Sequence, residues 1–401
     1  MPSRFAGRRN VIDRLVHLYR IGDLGQSYLF LGPEGSGKEL TALEVARLIN
    51  CPTPDACADI PNCESCLKAV TFQHPDIRWI GPAPASTGEA DTTRLFAAKQ
   101  EDPFHQPAWA SSSEVLIGDP DRPAPLTVRS ILQFLRVKPF QGTTKVAVVA
   151  DAHRLRSGAA NAFLKVLEEP PSDALILLLS SVRSGVLPTI QSRCQRIPFG
   201  PYTEQELAAL LGELYDLDAD HAATLARRGG GNARRAARLR LPLARVLSAW
   251  GQQLIQSVHE DRCGTAMLAA EALHKGVLPG GLVERINEDG GAGTPLRNSP
   301  VKELAEKRER AILLCEILHL IYSEIMGCRV RGDDWRPAQP ADAPWIASLA
   351  ADRSPESLLR DIGSLERVRR DIERNLNIGL VTAVLFQELS RHAREDRTTL
   401  V

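Results

Sequence analysis

The 401 residues carry 49 basic and 49 acidic side chains, for a formal net charge of zero, and 43% of them are hydrophobic. This length makes room for two or three domains with separate cores, and the charge balance excludes a global field that would draw the chain to nucleic acid or a membrane. No apolar stretch approaches the roughly 18 residues of a spanning helix and the N-terminus lacks a signal-peptide layout, so a cytoplasmic protein without a membrane partner is expected, its eight Cys serving as thiols or metal ligands rather than disulfides.

In chain order, residues 1–26 read as a short amphipathic helix with Val11, Leu15, Leu18 and Tyr19 near helical spacing. Ser27–Leu31 reads as a strand. The loop Gly32-Pro-Glu-Gly35-Ser36-Gly37-Lys38-Glu39 and a helix over Leu40–Ile49 follow. Strand, glycine loop, Lys and helix form the phosphate-cradling P-loop arrangement: glycines turn successive N–H groups into one concavity and Lys38 adds a point charge. The motif asks for Ser or Thr after the Lys, to hold Mg²⁺, and this chain has Glu39. Cys51, Cys57, Cys63 and Cys66 come next, then a strand over Ile77–Ile80. Residues 81–113, rich in Ala, Pro, Ser and Thr, read as an exposed, flexible insertion.

A helical pattern begins near Leu126 with Val128, Ile131, Leu132 and Leu135 on one face. The strand Lys145–Ala150, a turn at Asp151, a helix over Ala159–Glu168, and the strands Leu175–Leu179 and Gln195–Phe199 follow. Apolar runs alternating with helices predict a parallel sheet covered on both faces. Tyr202 to about Arg240 reads as a small helical domain opening with the capping-box pattern Thr203-Glu-Gln-Glu206. The rest is helical by pattern, with breaks at 279–300 and at Arg329–Pro344.

Four cysteines spaced C-x5-C-x5-C-x2-C suit a closed tetrahedral zinc site of structural type; the other reading is four unmetallated thiols in a surface loop. Asp151 stands at a strand end, where it is either a turn former or a Walker-B aspartate holding Mg²⁺. Ala152 follows it and offers no atom that accepts a proton. Without a Mg²⁺-binding hydroxyl or a general base, ATP hydrolysis by the chain itself is not expected, since each loss costs orders of magnitude in rate. From His221 to His259 there are seven Arg and no acidic residue, which fits either a phosphate- or DNA-facing surface or a solvated helical face.

Residues 1–240 resemble the clamp-loader subunits of bacterial DNA polymerase III, the delta-prime type in particular. The likeness rests on Gln26–Pro33 with its P-loop, the four-Cys loop, His74-Pro-Asp76, Lys145 to His153, Ala160-Asn-Ala-Phe-Leu-Lys-Val-Leu-Glu-Glu-Pro-Pro171 and Leu187-Pro-Thr-Ile-Gln-Ser-Arg-Cys194. The sister gamma/tau subunits normally have Thr after the P-loop Lys and Glu after the Walker-B Asp, so Glu39 and Ala152 favour delta-prime. The Cys spacing departs from the family's longer first gap and two C-x2-C steps.

The resemblance implies a RecA-like P-loop AAA+ domain over 1–200 with a zinc loop at 51–66, a helical lid over 201–240 and a helical collar over 241–401, an α/β fold followed by an all-α one. It implies that Arg193 is an arginine finger reaching the ATP site of a neighbouring subunit, against the other reading of an ordinary surface ion pair. It assigns Arg234 of Gly231-Asn-Ala-Arg234 to sensor 2, and Ser180 or Ser181 weakly to sensor 1. Gly32, Gly35, Ser36, Gly37, Lys38, Glu39, Asp151 and Arg234 then form a vestigial nucleotide site without productive ATP and Mg²⁺ chemistry. The metal ligands would be Cys51, Cys57, Cys63 and Cys66. The implied partners are gamma/tau and delta subunits, the sliding clamp and primed DNA, in a pentamer belonging to a nucleotidyltransferase complex. Arg370–Leu380 with Leu385 and Leu389 resembles the last collar helices. Two rival readings stand beside this one: an ATP-hydrolysing gamma/tau-type motor, and a small-molecule P-loop kinase, which has no use for a Ser-Arg-Cys finger, a four-Cys loop or a collar.

Overall fold

A computed structural model describes residues 7–107, 109–110, 112–121, 123–260, 262–279, 284, 304–374 and 376–399. The chain divides into two compact units, Met1–Ala237 and Arg238–Val401. The helices after residue 203 that the sequence set apart as a lid therefore group with the first unit up to Ala237.

The first unit is built on a parallel sheet of five strands in the order β2-β3-β4-β1-β5, with β1 Ser27–Leu31, β2 Ile77–Ile80, β3 Lys145–Val149, β4 Ala174–Ser180 and β5 Gln195–Pro198. Every residue of β3 and β4 is buried, as expected of parallel strands covered on both faces. Alternate residues feed two cores. Tyr28, Phe30, Val146, Val148, Leu175 and Leu177 face one; Leu29, Ala147, Val149, Ile176 and Leu178 face the other. The central pair is in register from Ser27 opposite Ile176 to Leu31 opposite Ser180, so the strand ends that carry the P-loop and Ser180 emerge side by side.

Helix α1 (Arg9–Arg20) buries Ile12, Leu15 and Val16 in the first core, while Val11, Leu18 and Tyr19 are half-buried at its edge. Helix α2 (Lys38–Ile49) starts directly at the P-loop Lys. Helices α3 (Glu64–Val70), α5 (Val128–Leu135), α6 (Ser157–Glu168) and α7 (Pro188–Gln191) complete the layers.

The flexible insertion expected at 81–113 is a correction. Residues Glu89–Glu101 form a helix, α4, which buries Thr92, Leu95 and Lys99. Phe96 stacks on Phe72 with ring centroids 4.6 Å apart and meets the edge of Trp79 at 6.1 Å. Two apolar residues with one buried cation give too thin a hydrophobic pattern to read from sequence; the helix is stabilised by tertiary contacts.

Three helices close the first unit: α8 (Glu204–Tyr215), α9 (Ala219–Gly229) and α10 (Ala233–Leu239), whose last two residues lie past the unit boundary. The expected capping box is formed: Glu206 N–H donates to Thr203 Oγ1 at 3.2 Å and Thr203 N–H donates to Glu206 Oε2 at 2.9 Å.

The second unit is helical among its described residues, with α11 (Pro242–His259), α12 (Cys263–Lys275), α13 (Leu304–Arg331), α14 (Ala343–Ala351), α15 (Pro355–Glu373) and α16 (Ile378–Thr399). Of the break expected at 279–300, only residues 279 and 284 are described. The break expected from Arg329 is shorter than the sequence suggested: α13 continues to Arg331, 3-10 turns occupy Gly332–Asp334 and Pro340–Asp342, and α14 starts at Ala343. Contrary to the expectation that no stretch approaches spanning length, the segment from Glu306 to Asp334 is long and apolar enough to cross a membrane by length and composition. Its Ala311, Leu314, Ile317, Leu318, Tyr322 and Ile325 are nonetheless buried against the unit's own helices, the pattern of a core helix.

Candidate functional site: a P-loop cleft and a four-cysteine cluster

The turn from β1 into α2 needs left-handed backbone at Gly35 (φ +67°) and Gly37 (φ +78°), which glycine adopts at no steric cost. Space is restricted at both. A Cβ on Gly35 would overlap Asn232 Oδ1, and one on Gly37 would overlap the Tyr202 hydroxyl. Ala233 N–H also donates to Gly35 O at 2.9 Å. The segment leading into α10 thus packs directly on the loop. Arg8, 28 residues before Ser36, clamps it as well, donating to Ser36 O at 2.8 Å and Gly200 O at 2.7 Å, with its guanidinium 4.1 Å from the Tyr202 ring centre.

Lys38 is turned back on its own loop. Its Nζ donates to Gly32 O at 2.6 Å, Pro33 O at 2.7 Å and Ser36 Oγ at 3.2 Å. Burial pulls its pKa down to about 8, against the carboxylates of Asp151, Glu34 and Glu39, which favour the ammonium. Glu39 is not left unpaired beside this loop: its Oε1 is 2.6 Å from Lys99 Nζ on α4. Lys99 is 3% exposed at its side chain and stands 5.0 Å from the Trp79 ring centre.

Asp151 adopts φ +48°, a left-handed turn conformation that Asp tolerates, and it lines the same cleft as Lys38, Glu39, Ser181 and Arg234. Desolvation pushes its carboxyl above the ordinary value. Ala152 is buried in the second core. Ser181 faces the cleft, whereas Ser180 is buried and bonds Val182 and His153. Arg234 Nη1 lies 3.9 Å from Glu34 Oε2, so its nearest charge is a P-loop carboxylate.

Arg193 is brought elsewhere. It follows α7, half exposed, with Nη2 2.7 Å from Glu168 Oε1 and Nη1 2.9 Å from Thr189 O. The residues lining the cleft do not include it.

The four cysteines converge. One sulfur from each of Cys51, Cys57, Cys63 and Cys66 lies within 4.8 Å of the others, and Cys51 Sγ and Cys63 Sγ are 3.7 Å apart. Zinc–thiolate bonds of about 2.3 Å in a tetrahedron separate the sulfurs by roughly 3.8 Å, so this donor set fits one such ion and leaves no open coordination position. Cys51, Cys57 and Cys66 are buried. Arg47 reaches the cluster from α2, donating to Cys66 Sγ at 3.0 Å and Cys57 O at 2.9 Å while paired with Glu44 at 2.5 Å. Sequence reasoning missed Arg47, Lys99, Arg8, Tyr202 and Asn232. Of these only Asn232 sits inside a motif, and each is recruited by contacts between distant segments.

The parallel sheet, the glycine loop after β1 and the aspartate after β3 define a P-loop domain of AAA+ type with a helical region after it. The family model described as "DNA polymerase III, delta subunit" matches residues 7–203, just under half of the chain. The gamma/tau subunit of Mycobacterium tuberculosis is 30% identical over 244 residues, 58% of this chain and 36% of that protein. The delta' subunit of Pseudomonas aeruginosa is 30% identical over 215 residues, 53% of this chain and 55% of that protein. Among solved structures, a gamma subunit-related protein of Thermotoga maritima covers 96% of this chain and all of its own length at 20% identity, with a TM-score of 0.38. The chain spans between about a quarter and about half of the length of the curated relatives it matches.

Proposed function

We propose that the chain is a clamp-loader subunit of a bacterial replicative polymerase that does not hydrolyse ATP itself and offers Arg193 to the ATP site of an adjacent gamma/tau-type subunit. The observation that carries this reading is the division of the machinery. The P-loop has Glu39 tied to Lys99 where a Mg²⁺-binding hydroxyl is needed, and Ala152 buried where a base is needed. Arg193 stands on the surface, outside the chain's own cleft. A guanidinium there can neutralise charge on a γ-phosphate in the transition state without nucleotide of its own.

On this reading the partners are gamma/tau and delta subunits in a cytoplasmic pentamer that places the sliding clamp on primed DNA. Zinc bound by Cys51, Cys57, Cys63 and Cys66 has a structural role, closing a loop that has little apolar core. In the test, the full chain is reconstituted with gamma/tau and delta subunits, and clamp- and DNA-stimulated ATPase is compared for wild type and Arg193→Ala. A fall of about 10³-fold or more in the neighbour's contribution is expected of a lost finger; unchanged stimulation defeats the proposal.

The second reading, an ATP-hydrolysing gamma/tau-type motor, is favoured by the gamma/tau relatives that match at 30% identity. Turnover by the isolated chain that Lys38→Ala abolishes would establish it in place of the first.

A further inference from the structure

We propose that this chain fills its own nucleotide cleft: residues 99–107 and 109–110, latched by the Lys99–Glu39 ion pair, occupy the space beside the P-loop and keep adenine nucleotides out. The inference goes beyond loss of hydrolysis, because it concerns binding, and it is separate from the Arg193 reading, which needs no nucleotide on this chain.

The segment is anchored to each part of the cleft. At its start, Lys99 Nζ is 2.6 Å from Glu39 Oε1, in the first turn of the P-loop helix. Three residues on, Asp102 Oδ1 accepts from the Tyr215 hydroxyl at 2.7 Å, which ties the segment to α8. At its far end, Arg154, just after Asp151, donates from Nη1 to Ala110 O at 2.7 Å and to Ser113 O at 3.0 Å. Between these anchors Pro103, Phe104, His105 and Pro107 line the same cleft as Gly35–Glu39 and Arg234. A cavity of about 90 Å³ remains. Pockets that take drug-sized ligands measure roughly 300–1,000 Å³, so a nucleotide enters only if the segment leaves.

Charge explains why it stays. Lys99 is almost fully buried, and a buried ammonium is tolerated only with a paired anion. In a loop with Ser or Thr at position 39 it would have none. The departure at Glu39 therefore does more than remove a Mg²⁺ ligand; it supplies the counter-charge for the plug, and Trp79 supplies an aromatic face for the same cation. The P-loop adds no competing demand, since Lys38 is already satisfied by Gly32 O, Pro33 O and Ser36 Oγ.

The experiment titrates full-length wild type, Lys99→Ala and the double variant Glu39→Thr/Lys99→Ala with a fluorescent N-methylanthraniloyl derivative of ATP in excess Mg²⁺. Wild type is expected to show no saturable binding up to about 1 mM, and the double variant to bind at least about tenfold more tightly. Saturable micromolar binding by wild type overturns the proposal, as does a folded double variant that binds no better. Should the double variant fail to fold, hydrogen exchange on wild type decides: ATP-dependent protection of the amides of 35–39 overturns the plug, and unchanged protection there and across 99–107 supports it. Neither outcome alters the Arg193 stimulation measured in the assembled complex, so the two readings fail separately.

Discussion

Asp76 shows how much a single side chain organises here. It is fully buried, and its carboxylate accepts N–H bonds at 2.7 Å from Phe140, Gln141 and Gly142 while pairing with Lys145 Nζ at 2.8 Å. Burial alone would raise its pKa; the Lys145 ammonium and the backbone donors override that and hold it at about 2. A depressed folded pKa contributes stability that is fully present above the unfolded carboxylate value of about 4 and is lost as pH falls toward 2. Asp76→Asn is therefore expected to lower stability by about 3 kcal/mol at pH 7, since it leaves Lys145 buried without a counter-charge, and to flatten the acid limb of the stability curve. Denaturant melts of both proteins between pH 7 and pH 3 check both outcomes. Arg193→Ala is expected to do the opposite, leaving stability within about 0.5 kcal/mol, because its pair with Glu168 is solvent-exposed. A large loss in the same melts would mean that Arg193 is structural, and would spoil its use as a functional probe. The P-loop and the four cysteines announce themselves in the sequence by spacing; Arg193 stands out only through the resemblance of its Ser-Arg-Cys motif, and Asp151 only as a residue at a strand end. Lys99 does not stand out, because nothing in the local sequence marks a lysine whose partner is 60 residues away.

At the scale of elements, what could be read from sequence followed the strength of the hydrophobic signal. Strands β3 and β4 are uniformly buried and read as uninterrupted apolar runs. Helix α4 shares its composition with a loop, and its place is set by Phe72, Trp79 and Glu39, which belong to other elements. The four-Cys loop lies between these cases. Its four cysteines were plain, but not its tie to the P-loop helix through Arg47. With zinc bound as proposed, the guanidinium that donates to Cys66 Sγ would steady the thiolate's orientation and offset part of its charge, as outer-shell partners do for metal ligands. On the zinc proposal, Arg47→Met is expected to weaken retention of the metal by about 10-fold or more, measured as release to a chromophoric chelator at fixed pH. Retention equal to wild type would reduce Arg47 to a packing residue. On the same proposal, a strong chelator that removes zinc is expected to expose 51–66 to proteolysis while the amides of β3 and β4 keep their protection from exchange, because the loop has little core of its own and the sheet has two.

On the scale of the whole chain, each of the two units has its own interior, and the second was the less legible because its helices carry no motif chemistry. Its interior is polar at one point. Arg353 lies buried between Asp361, which it contacts through Nη2, and Asp396, 2.8 Å from Nε; His392 Nδ1 meets Asp361 Oδ1 at 2.7 Å. The Tyr322 ring on α13 stands 5.9 Å from the same guanidinium, so residues from α13, α15 and α16 share one cation. Such a cluster contributes less to net stability than to fixing one arrangement of the helices, yet breaking it strands a buried charge at a cost of about 3–5 kcal/mol. Asp361→Ala removes a partner of both Arg353 and His392. It is expected to lower the melting of the helical unit by several degrees, followed by hydrogen exchange of amides in α13, α15 and α16. Release of the proposed zinc from 51–66 would report on the first unit in the same samples and is expected to stay at the wild-type rate. If zinc release accelerates in step with helix opening, the units unfold as one cooperative block, and the boundary at 237/238 is a feature of packing and not of stability.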